Sequence, residues 1–267
     1  MQGYEDIQRV LSALESAGVG EDLMLIGARA RDILHERIVG GHPMRATKDV
    51  DIAIYVDSWH DLEAINANFE RCGSAWQKRL VGNLPVDFVP FGPIESPPGE
   101  ISPSDGLILN VNGLREAFST SLKIDLNNGR VVRIPSKVGF LLLKLEAWLD
   151  RFHISGKDGS DIATAISWFD EQEYLLGDEF QAMLLDESLE FDPIPQRVAI
   201  IGFEVAKLLG EEKASALALR FHELQEPELN RLAGQLHSSG AFSVPQARLK
   251  QIVPALLFGM RTAHSSR

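Results

Sequence analysis

Asp49-Val50-Asp51 opens the apolar run Val50-Asp51-Ile52-Ala53-Ile54-Tyr55-Val56. Side chains alternate along a strand, so Asp49 and Asp51 should project to one face while Val50, Ile52, Ile54 and Val56 enter a core on the other. Two carboxylates stacked on one face repel each other and resist burial. A divalent cation relieves both costs, because Mg²⁺ takes oxygen ligands and often sits between carboxylates and substrate phosphates. Taken alone, an Asp-x-Asp is more often a solvated strand edge, so its neighbours decide. Asp87, in Pro85-Val86-Asp87-Phe88-Val89, is costly to bury unless compensated. In Ile26-Gly27-Ala28-Arg29 a strand gives way to a helix start. Glycine there lets backbone approach a ligand, and the exposed N–H groups of a helix N-terminus attract phosphate. Three carboxylates on two neighbouring strands could hold two Mg²⁺ ions, with Asp49 and Asp51 bridging them. Asp87 would bind on the side of the attacking hydroxyl and accept its proton.

The elements that must position these groups follow from hydrophobic periodicity. Residues 4–17 read as an amphipathic helix with Ile7, Val10, Leu11 and Leu14 on one stripe. Leu23-Met24-Leu25-Ile26 is a short strand ending at Gly27, and 28–37 a helix. Gly40-Gly41-His42-Pro43 breaks that helix and leads into the Asp-x-Asp strand. Ser58 caps a helix expected to run to about Phe69, with Leu62, Ile65 and Phe69 inward. Residues 84–90 form a strand carrying Asp87, 92–105 a loop, and 107–111 another strand. The segments 121–125 and 130–134 flank Leu126-Asn127-Asn128-Gly129, a hairpin signal. From Ser136 the pattern turns helical, with helices over 137–151 and 158–169, and it stays mostly helical to the end. Val198, Ile201, Val205, Leu208 and Leu209 form one later stripe, and 214–224 another. The change near 136 marks the expected domain boundary.

A chain of 267 residues suits one large domain or two modest ones. A single cysteine, Cys72, rules out an internal disulfide framework and a thiolate zinc cluster, and fits a reducing cytoplasm. The histidines form no metal-binding pair, and no glycine-rich phosphate loop of the common kinds is present. No apolar run is long enough to span a bilayer, no secretion signal is expected, and no membrane partner follows. A net charge of -12 argues against a general nucleic-acid coat, but leaves room for an enzyme that grips one nucleic-acid end through a local basic patch. Cys72 and the tryptophans are read as packing.

Five stretches in order carry a resemblance. They are Ile26-Gly27-Ala28-Arg29-Ala30-Arg31-Asp32, Arg45-Ala46-Thr47-Lys48-Asp49-Val50-Asp51, Val86-Asp87-Phe88-Val89-Pro90-Phe91-Gly92, Leu142-Leu143-Lys144-Leu145-Glu146-Ala147-Trp148 and Gly156-Lys157-Asp158-Gly159-Ser160-Asp161-Ile162. The chain resembles the nucleotidyltransferase superfamily with the polymerase-beta-like fold, and more closely the AbiEii / MenT-like toxin nucleotidyltransferases. The resemblance covers roughly residues 20–168.

It implies an α/β (α+β) fold, a small mixed sheet flanked by helices over 1–135, followed by a helical domain over 136–267 that contributes Lys144 and the 157–161 segment to the cleft. Gly27 and Ala28 match the phosphate-contacting turn, with Ala28 where the family commonly has Ser or Gly. Asp49, Asp51 and Asp87 match the catalytic, metal-binding carboxylates. Lys144 matches a helix lysine used on the triphosphate. Arg29, Arg45, Lys48, Asp158 and Asp161 complete the expected nucleotide-binding set, Asp158 also being placed to cap a helix and Asp161 to orient Lys144. The implied reaction moves a nucleoside monophosphate from an NTP to a hydroxyl, with two Mg²⁺ ions or Mn²⁺ as a substitute. The first implied acceptor is an RNA, a tRNA 3′ end, as for a toxin that has a cognate antitoxin protein. A protein side chain and a small molecule are the second and third acceptors. Two rivals remain: a nucleotide-binding regulatory protein with a decayed site, and a metal-dependent phosphohydrolase using the same acids.

Overall fold

Two apolar runs, 50–56 and 84–91, lie side by side at the centre of a five-stranded mixed sheet. The computed structural model describes residues 4–40, 49–104, 106–126, 129–169, 180, 185–189 and 192–265. The chain divides into two compact units, Met1–Ser136 and Lys137–Arg267. Among the described residues no helix is long and apolar enough to cross a membrane.

The first unit starts with α1 (Glu5–Ser16), whose Ile7, Val10, Leu11 and Leu14 are all buried. Strand β1 (Leu23–Ile26) passes directly into α2 (Gly27–Ile38). Strand β2 (Val50–Tyr55) pairs antiparallel with β1 and parallel with β5 (Leu84–Phe91). Between β2 and β5 lie α3 (Trp59–Asn66) and a hairpin of β3 (Glu70–Arg71) and β4 (Lys78–Val81), giving the order β1-β2-β5-β4-β3. The alternation expected of β2 holds: Val50, Ile52, Ile54 and Val56 are at most 4% exposed. Burying each such side chain contributes roughly 1.5–3 kcal/mol, and this sets which face of the strand turns inward. Two-stranded pairs complete the unit, β6 (Glu100–Ile101) with β7 (Leu109–Asn110) and β8 (Leu122–Asp125) with β9 (Val131–Ile134), the short helix α4 (Leu114–Ser119) lying between them.

Several boundaries differ from the sequence reading. Helix α3 has the expected Ser58 cap, its Oγ accepting from the Asp61 N–H at 3.3 Å, but it stops at Asn66. Asn68 donates its side-chain amide to the carbonyls of Ala64 and Ile65 at 2.9 and 3.2 Å, competing with the backbone for the last helical acceptors. Phe69 instead packs edge-on against Phe88 with centroids 5.5 Å apart. Inside the expected 92–105 loop, β6 forms, and the strand expected over 107–111 shrinks to β7, leaving Leu107 and Ile108 exposed. The loop after β5 is tied by Glu95, which accepts from the N–H groups of Gly92 and Gly99 and from Arg115, each at 2.8 Å. The expected turn residues Asn127 and Asn128 lie outside the described residues.

The second unit is helical throughout its described residues, apart from short connections. Helix α5 (Lys137–Arg151) matches the expected bounds, and α6 (Lys157–Ser167) ends slightly before the expected Phe169. They are followed by α7 (Pro193–Leu209), α8 (Glu211–His222), α9 (Glu226–Ser238), α10 (Gln246–Leu249) and α11 (Ile252–Ser265). Helices α7 and α11 approach through glycines: a Cβ on Gly202 would lie 2.2 Å from the Leu256 carbonyl oxygen, and one on Gly259 1.8 Å from that of Ala199. Trp148 is fully buried and stacks on Phe152 and Phe221, so its role is packing, and its indole N–H donates to Gln235 at 2.7 Å.

Candidate functional site

Asp51 and Asp87 are register partners on the adjacent parallel strands β2 and β5. Paired residues of neighbouring strands share a face, so both carboxylates project to the side of the sheet away from Val50, Ile52, Val86 and Phe88. Asp49 precedes β2 by one residue and joins this face through Lys78. The Lys78 ammonium lies 3.2 Å from Asp49 Oδ1 and 3.3 Å from Asp87 Oδ2. Lys78 stands on β4 directly opposite Asp87, so the antiparallel register itself delivers the cation. Burial works against its charge, but Asp49 and Asp87 together hold the Lys78 pKa above its ordinary value. Asp87 is shifted upward, first by burial and further by the Asp49 charge, with Lys78 opposing.

Gly27 closes the other side. It opens α2 directly after β1, and Ile26, on β1, is the register partner of Asp51. Its φ of +66° falls in the region that favours glycine, and a Cβ there would lie 2.0 Å from Asp51 Oδ2. The Asp51 carboxylate thus occupies the space beside the first residue of a helix, where the backbone dipole favours negative charge. Ala28 is the second residue of that helix.

The other expected residues are distributed differently. Arg29 is held by Asp6 of α1, with Nη2 2.5 and 2.6 Å from its two oxygens, which commits the guanidinium to α1 instead of the carboxylate face. Arg45 and Lys48 lie outside the described residues. Lys144, Asp158 and Asp161 meet one another within the second unit: the Lys144 ammonium is 3.1 Å from Asp158 Oδ1 and 2.8 Å from Asp161 Oδ2. Arg151 adds two bonds to Asp158, at 2.6 and 2.9 Å. Although burial works to raise the Asp158 pKa, Arg151 and Lys144 outweigh it and hold the group below the ordinary carboxylate value. Asp158 therefore takes charged partners from α5, and the helix-capping role gives way to this cluster.

Lys78 escapes the sequence analysis because β4 is too short and polar to show as a strand. The available signal is Gly82-Asn83, a two-residue turn between Val81 of β4 and Leu84 of β5, which pair directly. Trp59 and Trp76, read from sequence as packing, are partly exposed.

The residues present suit a divalent cation. The donors are all carboxylate oxygens, an ammonium already lies against two of them, and the missing side chain of Gly27 is what leaves room for the Asp51 carboxylate. Among the described residues no three Asp, Glu, His or Cys side chains form a ready-made metal cluster; Lys78 stands between two of the acids. No protein-family model and no curated protein matches the chain.

Proposed function

We propose that the first unit is a nucleotidyltransferase that moves a nucleoside monophosphate from an NTP to a hydroxyl, releasing pyrophosphate. The observation that carries this reading is the in-register pairing of Asp51 with Asp87, with Asp49 drawn to the same face through Lys78. The resemblance to AbiEii / MenT-like toxins supports an RNA end, in particular a tRNA 3′ end, as the acceptor, and a cognate antitoxin as a further partner.

Asp49, Asp51 and Asp87 are the residues that would hold Mg²⁺. Bound there, Mg²⁺ would supply charge neutralisation at the triphosphate and a more acidic acceptor hydroxyl. The acceptor oxygen attacks the α-phosphorus and forms a new P–O bond. The bond from that phosphorus to the α–β bridging oxygen breaks, and pyrophosphate leaves with its electron pair. Asp87 takes the hydroxyl proton on a carboxylate oxygen. The N–H groups at the start of α2, from Gly27 and Ala28, offer donors to a phosphate oxygen. Lys78 keeps Asp49 and Asp87 together against their mutual repulsion.

The test is incubation of the full chain with total RNA, Mg²⁺ and NTPs labelled at the α-phosphate. Label should pass to RNA with equal release of pyrophosphate, and Asp51→Asn should lose transfer while keeping its fold. Release of inorganic phosphate without labelled RNA would assign the acids to hydrolysis. Nucleotide binding with no product would make the unit a binding module.

A further inference from the structure

The opposite side of the same sheet carries a cleft of about 430 Å³ that the carboxylates do not enter. We infer that it is a binding site for a single-stranded nucleic-acid segment, one base lying against the Trp59–Trp76 pair and a neighbouring phosphate on Arg71 and Arg79. The site does not depend on the transfer reaction proposed above.

Lys78 and Asp87 share one face, so Arg79, next along β4, projects to the other. Arg71 on β3 is the register partner of Arg79, which puts two guanidinium groups side by side at the cleft. Like charges directly across a strand pair are destabilising without an anion between them. Among the described residues neither arginine has a carboxylate partner. Arg79 donates to the carbonyls of Trp76 and Lys78 at 2.7 and 3.0 Å, and Arg71 to that of Ser74 at 3.2 Å. Burial and the Arg71 charge both lower the Arg79 pKa, as expected where a second cation stands close without an acid.

The aromatic half of the site is built as well. Trp59 and Trp76 meet at 5.9 Å with their rings inclined at 53°. The indole N–H of Trp76 donates to the Leu107 carbonyl at 3.1 Å, which fixes that ring. Glu63, also lining the cleft, offers an acceptor for the exocyclic amine of a base. A planar ring and an adjacent phosphate together describe a nucleotide unit. Stacking platforms beside basic groups are how single strands are gripped without sequence preference. The cleft is a local basic patch on a chain of net charge -12.

The experiment titrates the full chain with a short fluorescein-labelled oligoribonucleotide, following polarisation and tryptophan quenching. Binding should quench tryptophan emission and weaken as salt rises. Arg71→Glu, at an exposed position, and Trp59→Ala should each weaken it about tenfold or more, with circular dichroism unchanged. Asp51→Asn, which disables the carboxylate face, should bind as wild type does. The inference is overturned if both cleft variants bind the strand as tightly as wild type does or if Asp51→Asn abolishes binding. It is also overturned if a phosphopeptide displaces the oligonucleotide as well as unlabelled RNA does, which would assign the cleft to protein recognition.

Discussion

Each unit of this protein places a lysine between two aspartates, and the two arrangements are built to opposite ends. In the second unit Lys144 lies between Asp158 and Asp161, with side chains 11%, 3% and 5% exposed. Arg151 supplies a second cation there, so two positive groups oppose two carboxylates. In the first unit Lys78 lies between Asp49 and Asp87, with 25%, 52% and 18% exposed, and Asp51 stands across from Asp87. The carboxylate pKa directions differ accordingly: Asp158 is held down and Asp87 is pushed up. One cluster is a satisfied internal staple. The other holds acids together with Asp87 partly buried and its pKa raised, so its ionised form carries a stability cost.

Removing the lysines separates the two most widely. Lys144→Met leaves two carboxylates buried without their ammonium and should cost about 3–5 kcal/mol. Hydrogen exchange should show the protection of α5 and α6 collapsing. Lys78→Met leaves partly hydrated acids and should cost less than about 1 kcal/mol. Equal losses would erase the contrast.

Gly27→Ala comes next. It adds a methyl group against the Asp51 carboxylate at a positive φ, and should cost about 1–3 kcal/mol in the first unit. Exchange in β1 and α2 should rise while α5 and α6 stay unchanged.

The pH responses should have opposite signs. Asp158, with a depressed folded-state pKa, contributes stability above its unfolded pKa and loses it as pH falls through the folded value. Asp87, with a raised pKa, carries a penalty that is full above its folded pKa and vanishes below its unfolded one. In urea unfolding, Asp158→Asn should therefore be destabilised at neutral pH, with the deficit shrinking in acid. Asp87→Asn should be stabilised at neutral pH by about 1 kcal/mol, a gain that also shrinks in acid. A destabilised Asp87→Asn at neutral pH would place Asp87 with the staples.

The smallest expected effect is that of metal. Mg²⁺ or Mn²⁺ at a few times its dissociation constant should stabilise the first unit by about 1 kcal/mol and leave the second unchanged. A chelator should reverse the effect and Asp51→Asn should remove it, read as exchange in β2 and β5.

Much of the first unit could be read directly. The stripe of α1, the bounds of β1 and the inward face of β2 follow from short-range periodicity, and all three appear in the structure. Strands β3 and β4 were missed because they are short and polar, with only Gly82-Asn83, at the turn from β4 into β5, to mark them. That miss hid Lys78 on one face and the Arg71–Arg79 pair on the other. The partner of Arg29 was not legible for another reason: Asp6 is 23 residues away in sequence and reaches it from α1.

Strand alternation is a local property of an extended backbone, so the residues themselves were enough to put Asp49 and Asp51 on one side and the branched aliphatics on the other. Which residue would stand beside Asp51 was not local. It required β5 to return parallel to β2, set in register by the burial of Val86 and Phe88, and β4 to fold back so that Lys78 faced Asp87. A slip of one residue in either pairing would have sent Asp87 or Lys78 to the opposite face, and only the packing of the whole sheet excludes it.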